Sequence, residues 1–155
     1  SDIAKYLKHH HSGAMVGCRL AQRLAHGAVN TASTLSGLEK AVREDRHALE
    51  RTMDAFGART VMHRAAAWIS DVAAHINYSG LRKRSAVGRL LELETMVLGL
   101  EGKRRLWVSL EAIAVDDSRL DEAHLAELLR RADEQLDVVE RARVEAARIA
   151  LRSER

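Results

Sequence analysis

The sequence has no proline, a single cysteine and only 3% aromatic residues, and these absences limit the folds it can form. Without proline, no position in the chain has a fixed φ angle or lacks the backbone N–H that a helix needs. Few aromatic residues and only 9 glycines leave little material for strands and tight β-turns. The lone cysteine, Cys18, excludes an internal disulfide bond. The sequence therefore predicts an all-α protein.

Long apolar runs and strong charge of one sign are also missing. No apolar run approaches the ~20 residues that a membrane-spanning helix needs, and lysines and histidines stand where a signal peptide would be apolar. The formal net charge is +3, and the basic clusters at residues 82–84 and 103–105 have no interleaved aromatic residues. We therefore expect a cytoplasmic protein with no membrane partner and no nucleic-acid partner.

Five segments have apolar residues spaced three and four apart, which is the spacing of amphipathic helices. The pattern predicts helices over residues 2–28, 35–56, 61–76 and 87–112, and a last helix from the turn at residues 116–118 to the C-terminus. Capping and turn residues separate these helices, among them Gly57 and Ser85. Short connections favour antiparallel neighbours. The prediction is one domain, residues 1–155, built as an antiparallel up-down bundle of four long helices plus one shorter helix, ferritin-like in shape.

Periodicity also predicts which face of each helix points inward. In the first helix the inward stripe is predicted to be Ile3, Leu7, His10, Ala14, Gly17, Ala21, Leu24 and Ala28. His9 and His11 should then lie at its edges or in solvent. In the helix over residues 87–112, the predicted inward face carries Val87, Leu91, Glu94, Leu98, Glu101, Arg105, Val108 and Ala112. In the helix over residues 35–56, the predicted inward face carries Leu35, Leu38, Val42, Asp45, Leu49, Met53 and Phe56. These phases place His10, Asp45, Glu94 and Glu101 inside the bundle, with Gln135 near the edge.

An interior polar set must be paired, because burying an unpaired charge is costly. The favoured interpretation is a structural network without a cofactor, in which a buried Glu101 pairs with Arg105 and the other carboxylates accept from arginine, Gln135 or His10. The alternative is a di-iron or hemerythrin-like site, with iron or another divalent transition metal bound by His10, Asp45, Glu94 and Glu101. If the first two helices form a hairpin, His10 and Asp45 lie about seven residues, or ~10 Å, apart along the bundle.

Two further histidine motifs are not predicted to bind a metal, the first because it faces water and the second because it lies near the edge of its helix stripe. Glu44 and His47 have Glu-x-x-His spacing, but they fall about 140° and 160° from the core direction of their helix. Asp121 and His124 lie in the first turn of the last helix, where Asp121 supports the helix N-terminus. Cys18 borders the inner stripe and is predicted to serve packing.

Residues 6–14, Tyr-Leu-Lys-His-His-His-Ser-Gly-Ala, resemble the opening Tyr-Leu-x-Asp-His-Leu-Ala-Gly of a group of uncharacterised bacterial helical-bundle proteins. The similarity continues through residues 67–69, 91–94 and 102–107. His10 matches the pattern, whereas His9 and His11 replace its Asp and Leu. The resemblance implies a helical bundle and brings no established activity. We therefore expect a non-enzymatic binding or assembly module. The sequence is compatible with a homo-oligomer.

Overall fold

The computed structural model describes residues 1–26, 35–58 and 85–152, and in these ranges the chain is helical with no strand. Helix α1 spans Asp2–His26, α2 spans Leu38–Ala55, α3 spans Ala86–Ala114 and α4 spans Glu122–Ala150. The all-α prediction is confirmed for these ranges. The shorter helix predicted over residues 61–76 lies outside the described residues. None of the described helices is both long and apolar enough to cross a membrane.

The ends of the helices follow the capping residues in the sequence. Ser85 caps α3, where its hydroxyl accepts from the backbone N–H of Gly88 at 2.9 Å. Asp121 caps α4 in the same way, accepting from the backbone N–H of His124 at 3.2 Å. Gly57 follows α2 with φ 61°, a left-handed conformation that favours glycine. It allows the N–H of Ala58 to reach back into the last turn of α2, the hydrogen-bond pattern of a Schellman motif.

Neighbouring helices run antiparallel. Helix α1 packs against α2 and α3, and α3 packs against α4. The direction follows from contacts whose residue numbers rise on one helix while they fall on the other: His11–Glu50 and Met15–Arg46 between α1 and α2, Tyr6–Ser109 and Arg23–Glu92 between α1 and α3, and Arg104–Asp133 and Glu94–Arg143 between α3 and α4.

The buried apolar residues form two clusters that follow one another along the bundle. The first combines the start of α1, the end of α2, the end of α3 and the start of α4, with Leu7, Leu49, Trp107 and Leu128 among its members. The second takes the opposite ends of the same helices, with Leu24, Val42, Leu93 and Val139 among its members. Between the clusters lies a layer of polar side chains that includes Asp45, Lys103 and Gln135. We call it the polar layer.

Helix α3 is apolar on two faces, and the prediction of its inward face is wrong. The buried residues of α3 are Gly88, Leu90, Leu93, Met96, Leu100, Leu106, Trp107, Leu110 and Ala114. On the face predicted to be buried, Leu98 is 74% exposed, Val87 is 46% exposed and Val108 is 41% exposed. Both faces have apolar residues three and four apart, so spacing does not distinguish them. The buried face holds the larger apolar set, including Trp107.

Candidate functional site

The polar layer is centred on Asp45, which projects from α2 and is 1% exposed. Lys103 of α3 donates from Nζ to Asp45 Oδ2 at 2.6 Å, and Gln135 of α4 donates from Nε2 to the same oxygen at 2.8 Å. Arg131 of α4 forms an ion pair with the other oxygen, with Nη2 2.8 Å from Oδ1. Lys103 also donates to Gln135 Oε1. One carboxylate therefore ties α2 to α3 and α4.

The buried charges of the polar layer stabilise one another. Burial lowers the pKa of the Lys103 ammonium, and the adjacent Asp45 carboxylate offsets part of that shift because it stabilises the charged form. Asp45 accepts from Gln135, as the pattern indicated. The sequence interpretation missed Lys103 because the wrong face of α3 was placed inward. If the buried face of α3 had been predicted correctly, Lys103 would have been placed inside the bundle, because it lies three residues after the buried Leu100.

The buried histidine of α1 is His11 and not His10, so the predicted phase of α1 is wrong at this point. His11 is 8% exposed, and its Nε2 lies 3.0 Å from Glu50 Oε1 of α2. A step of four from Leu7 reaches His11, and it fits the helical period as well as the step of three that reaches His10. Glu50 provides a hydrogen-bond partner for one nitrogen of this buried imidazole.

His10 lies half-buried at the edge of α1. Its ring packs edge-on against Tyr6, with the ring centroids 4.7 Å apart, and against His9 at 5.4 Å. Burial lowers the pKa of His10, and the neighbouring His9 lowers it further. Nothing in this setting directs the imidazole of His10 toward Asp45 and the polar layer.

The structure does not bring together the four residues that were considered as metal ligands. Glu101 is wrongly predicted to be buried: its side chain is 40% exposed, although it pairs with Arg105 at 2.7 Å as expected. The four residues have separate neighbours: Tyr6 for His10, Lys103 for Asp45, Arg143 at 3.9 Å for Glu94, and Arg105 for Glu101. Among the described residues, no group of three or more His, Cys, Asp or Glu side chains is arranged to hold a metal ion.

A groove of 240 Å³ separates α2 from α4 on the surface of the bundle, and the exposed motif residues line it. Its lining residues are Glu44, His47, Ala48, Arg51, His124, Leu128 and Arg131. Glu44 and His47 are exposed, as predicted, while Asp45 between them is buried. Arg131 is already paired with Glu44 and Asp45. In the described part of the chain, Arg51 is therefore the one arginine of the groove without a carboxylate partner. A single unpaired guanidinium is not enough to define a binding site.

The exposed face of α3 carries a row of residues that includes several large apolar side chains. It consists of Val87, Leu91, Glu94, Leu98, Glu101, Arg105, Val108 and Ala112, continued by Val115 at the helix cap. We call this set the outer stripe. Its steps alternate between four and three residues along its whole length, which is the spacing of a coiled-coil seam. Every member is exposed or only partly buried.

Two glycines lie beside the centre of the outer stripe. A Cβ atom added to Gly99 or to Gly102 would meet no other atom within 4 Å, so the space beside them is open. Without side chains at these positions, the backbone of α3 is accessible to another helix at short distance. The outer stripe thus combines six apolar residues with three charged ones.

Comparison with known protein families, curated proteins and solved structures gives no match to this chain. Function therefore has to be argued from the geometry. The two features that carry chemical information are the polar layer inside the bundle and the outer stripe on its surface.

Proposed function

We propose that this protein is a non-enzymatic assembly module, a helical bundle that self-associates through the outer stripe of α3. The observation that carries the proposal is a stripe of coiled-coil spacing left in solvent on a helix whose opposite face is already in the core. A helix that is apolar all round normally lies in an interior. Covering Leu98, Val108 and Val115 would recover about 25 cal/mol for each Å² of apolar surface removed from water.

The polar layer supports a structural role for the interior. The Asp45 side chain has no exposed surface, and that of Lys103 is 15% exposed. Their charged atoms contact one another and Gln135, so these buried ionisable groups are occupied in holding three helices together. A paired, water-excluded network is what a bundle core requires of its polar residues.

We do not propose the iron-binding alternative, because the described residues do not have the arrangement that such a site needs. A di-iron bundle needs carboxylates and Glu-x-x-His motifs that point to a common centre. Here Glu94 and Glu101 belong to the outer stripe, and Asp45 is held by Lys103. Ferritin-like shape is an analogy at the level of the fold, which does not fix function. The cytoplasmic location and the resemblance to uncharacterised bacterial helical-bundle proteins stay predictions.

The test is the oligomeric state of the protein and of a variant in the outer stripe. We expect sedimentation equilibrium to show a wild-type dimer at micromolar concentrations. Leu98→Asp should raise the dimer Kd at least about 100-fold, because each dimer would bury two unpaired carboxylates and lose two leucines from the seam. The helical circular dichroism should be unchanged, since Leu98 makes no contribution to the core.

A matched control is available on α4. Ile149 is 59% exposed and lies outside the outer stripe, so Ile149→Asp introduces the same charge at another exposed apolar position. This variant should keep the wild-type Kd. A wild-type protein that is monomeric at all concentrations, or a Leu98→Asp protein that associates as tightly as wild type, would refute the proposal.

A further inference from the structure

We infer that two copies of this chain dock with their α3 helices antiparallel, in the register that places Glu101 of each copy against Arg105 of the other. This inference rests on the proposed self-association and specifies its geometry. It follows from the order of charged and apolar residues along the outer stripe. At the centre of the stripe that order is Leu98, Glu101, Arg105 and Val108, so two opposite charges are flanked by two apolar residues.

A parallel arrangement is disfavoured by charge. Two parallel helices in register place each residue against the same residue of the second copy. Glu101 would then face Glu101, and Arg105 would face Arg105. Like charges that meet in an interface oppose association, while opposite charges fix its orientation.

The antiparallel arrangement makes the same stripe complementary to itself. With Glu101 facing Arg105 of the second copy, Leu98 faces Val108, and Leu91 faces Val115. Two-fold symmetry repeats each pair, so the interface contains two ion pairs flanked on both sides by apolar pairs. Such an isologous interface closes on itself and produces a dimer rather than a fibre.

Other antiparallel registers place charge against apolar groups. Shifting one helix by a heptad in one direction pairs Glu94 with Arg105 of the second copy, but it sets Leu98 against Glu101 on both sides of the two-fold axis. Shifting it in the other direction sets Arg105 against Val108. Each of these mismatches occurs twice in a symmetric dimer and places a charged side chain against an apolar one at the centre of the interface. The proposed register has only Glu94 opposite Ala112 near its ends, where Glu94 keeps Arg143 3.9 Å away.

Local geometry at the centre of the stripe fits this docking. Gly102 lies between Glu101 and Lys103, next to the two-fold axis of the proposed dimer, and has open space beside it. Arg105 is 71% exposed along its side chain, and its guanidinium already lies 2.7 Å from Glu101 of its own chain. A second copy would complete a ring of four alternating charges from two existing pairs.

Cysteine cross-linking tests the register. In a Cys18→Ser background, chains carrying Leu98→Cys are mixed with chains carrying Val108→Cys and oxidised with glutathione disulfide. We expect a 98–108 cross-link between copies to form at least about ten times faster than a 98–98 cross-link. In the proposed register two copies of residue 98 are ten residues, or ~15 Å, apart along the helix, whereas a disulfide needs Cα atoms within about 7 Å.

Other cross-links would overturn the inference. A dominant 98–98 link would show parallel helices, and a link between Leu98→Cys and Glu101→Cys chains would show the shifted register. A dimer that forms none of these links would overturn the register. These outcomes leave the proposed self-association intact if Leu98→Asp still dissociates the dimer. A wild-type monomer, or a Leu98→Cys thiol that resists alkylation in the monomer, would overturn both proposals.

A charge exchange provides an independent test with its own control. Glu101→Arg gives a chain with two arginines at the centre of the stripe, and Arg105→Glu gives a chain with two glutamates. Each variant alone should have a dimer Kd at least about 30-fold higher than wild type. A 1:1 mixture of the two should have a Kd within about 3-fold of the wild-type value. Each single variant also loses the pair within its own helix, so recovery only on mixing separates the interface from any effect on the fold. No recovery on mixing would overturn the inference.

Discussion

The two faces of α3 have the same spacing of apolar residues and opposite surroundings. On the inner face Leu93, Leu100 and Trp107 are fully enclosed by the other helices, while on the outer stripe Leu98 and Val108 lie in solvent. An apolar period shows that a helix face is suited to be covered, but it does not say by what. The inner face is covered within the chain, and for the outer stripe we propose a second copy.

Charged residues on the two faces differ in the same way. Lys103 on the inner face takes its partners from α2 and α4, because a buried ammonium needs acceptors that its own helix cannot supply. Glu101 and Arg105 on the outer stripe pair one turn apart on the same helix. Exposed pairs of this kind contribute little to stability, so they are available to direct association instead.

The largest expected effect comes from breaking the inner polar layer. Asp45→Ala leaves Lys103 and Arg131 near each other without their shared carboxylate, and it should destabilise the fold by about 3–5 kcal/mol. Urea denaturation followed by circular dichroism measures this change. Glu44→Ala is the comparison variant on the same helix, since Glu44 is exposed and its ion pair with Arg131 lies at the surface. It should change stability by less than about 1 kcal/mol. Equal effects of the two variants would contradict a tightly paired layer.

A matched pair of leucines compares the two faces directly. Leu100→Ala removes an inner side chain that is 1% exposed, and it should cost about 2–5 kcal/mol of unfolding free energy. Leu98→Ala removes the exposed leucine two residues earlier, and it should cost less than about 0.5 kcal/mol when unfolding is measured on the dilute monomer. The order reverses for association, where only Leu98→Ala should raise the dimer Kd. A loss above about 1 kcal/mol for Leu98→Ala in the monomer would show that its face is already covered.

The smallest effect belongs to an exposed ion pair just beyond α3. The Arg119 side chain, with help from its backbone N–H, holds the pKa of Asp117 at about 2. Because the pKa is lowered on folding, the stabilising contribution is present above the ordinary value near 3.8 and is lost as the pH falls toward 2. NMR titration of the Asp117 carboxyl measures this. In Arg119→Ala the pKa should rise toward 3.8 with little change in stability, and an unchanged pKa would contradict the assignment.

The sequence was sufficient for the elements of the fold that local chemistry determines. Helix starts at Ser85 and after Asp121 depend on side-chain oxygens that accept from the first backbone N–H groups, and the end of α2 depends on a left-handed glycine. The rotation of α2 was also predictable. Val42 and Leu49 define a single apolar face there, and Asp45 lies within it.

The phases of α1 and α3 could not be chosen from the sequence alone. Steps of three and of four from Leu7 are equally helical, and the buried position belongs to His11, whose imidazole lies beside Glu50 of another helix. On α3 two apolar faces of similar spacing compete, and the choice depends on how many large side chains the other helices can enclose. These errors also affected the predicted site, because Lys103 was placed on the surface of the bundle and Glu101 in its interior.

The polar layer crosses the bundle, and its position has a consequence for folding. It divides the core along the helix axes, so each apolar cluster draws on all four described helices. Neither the α1–α2 hairpin nor the α3–α4 hairpin contains a complete apolar cluster, so neither would keep its core if the other hairpin unfolded. The bundle should therefore unfold cooperatively in one transition, and a fragment of residues 1–58 should have no stable core of its own.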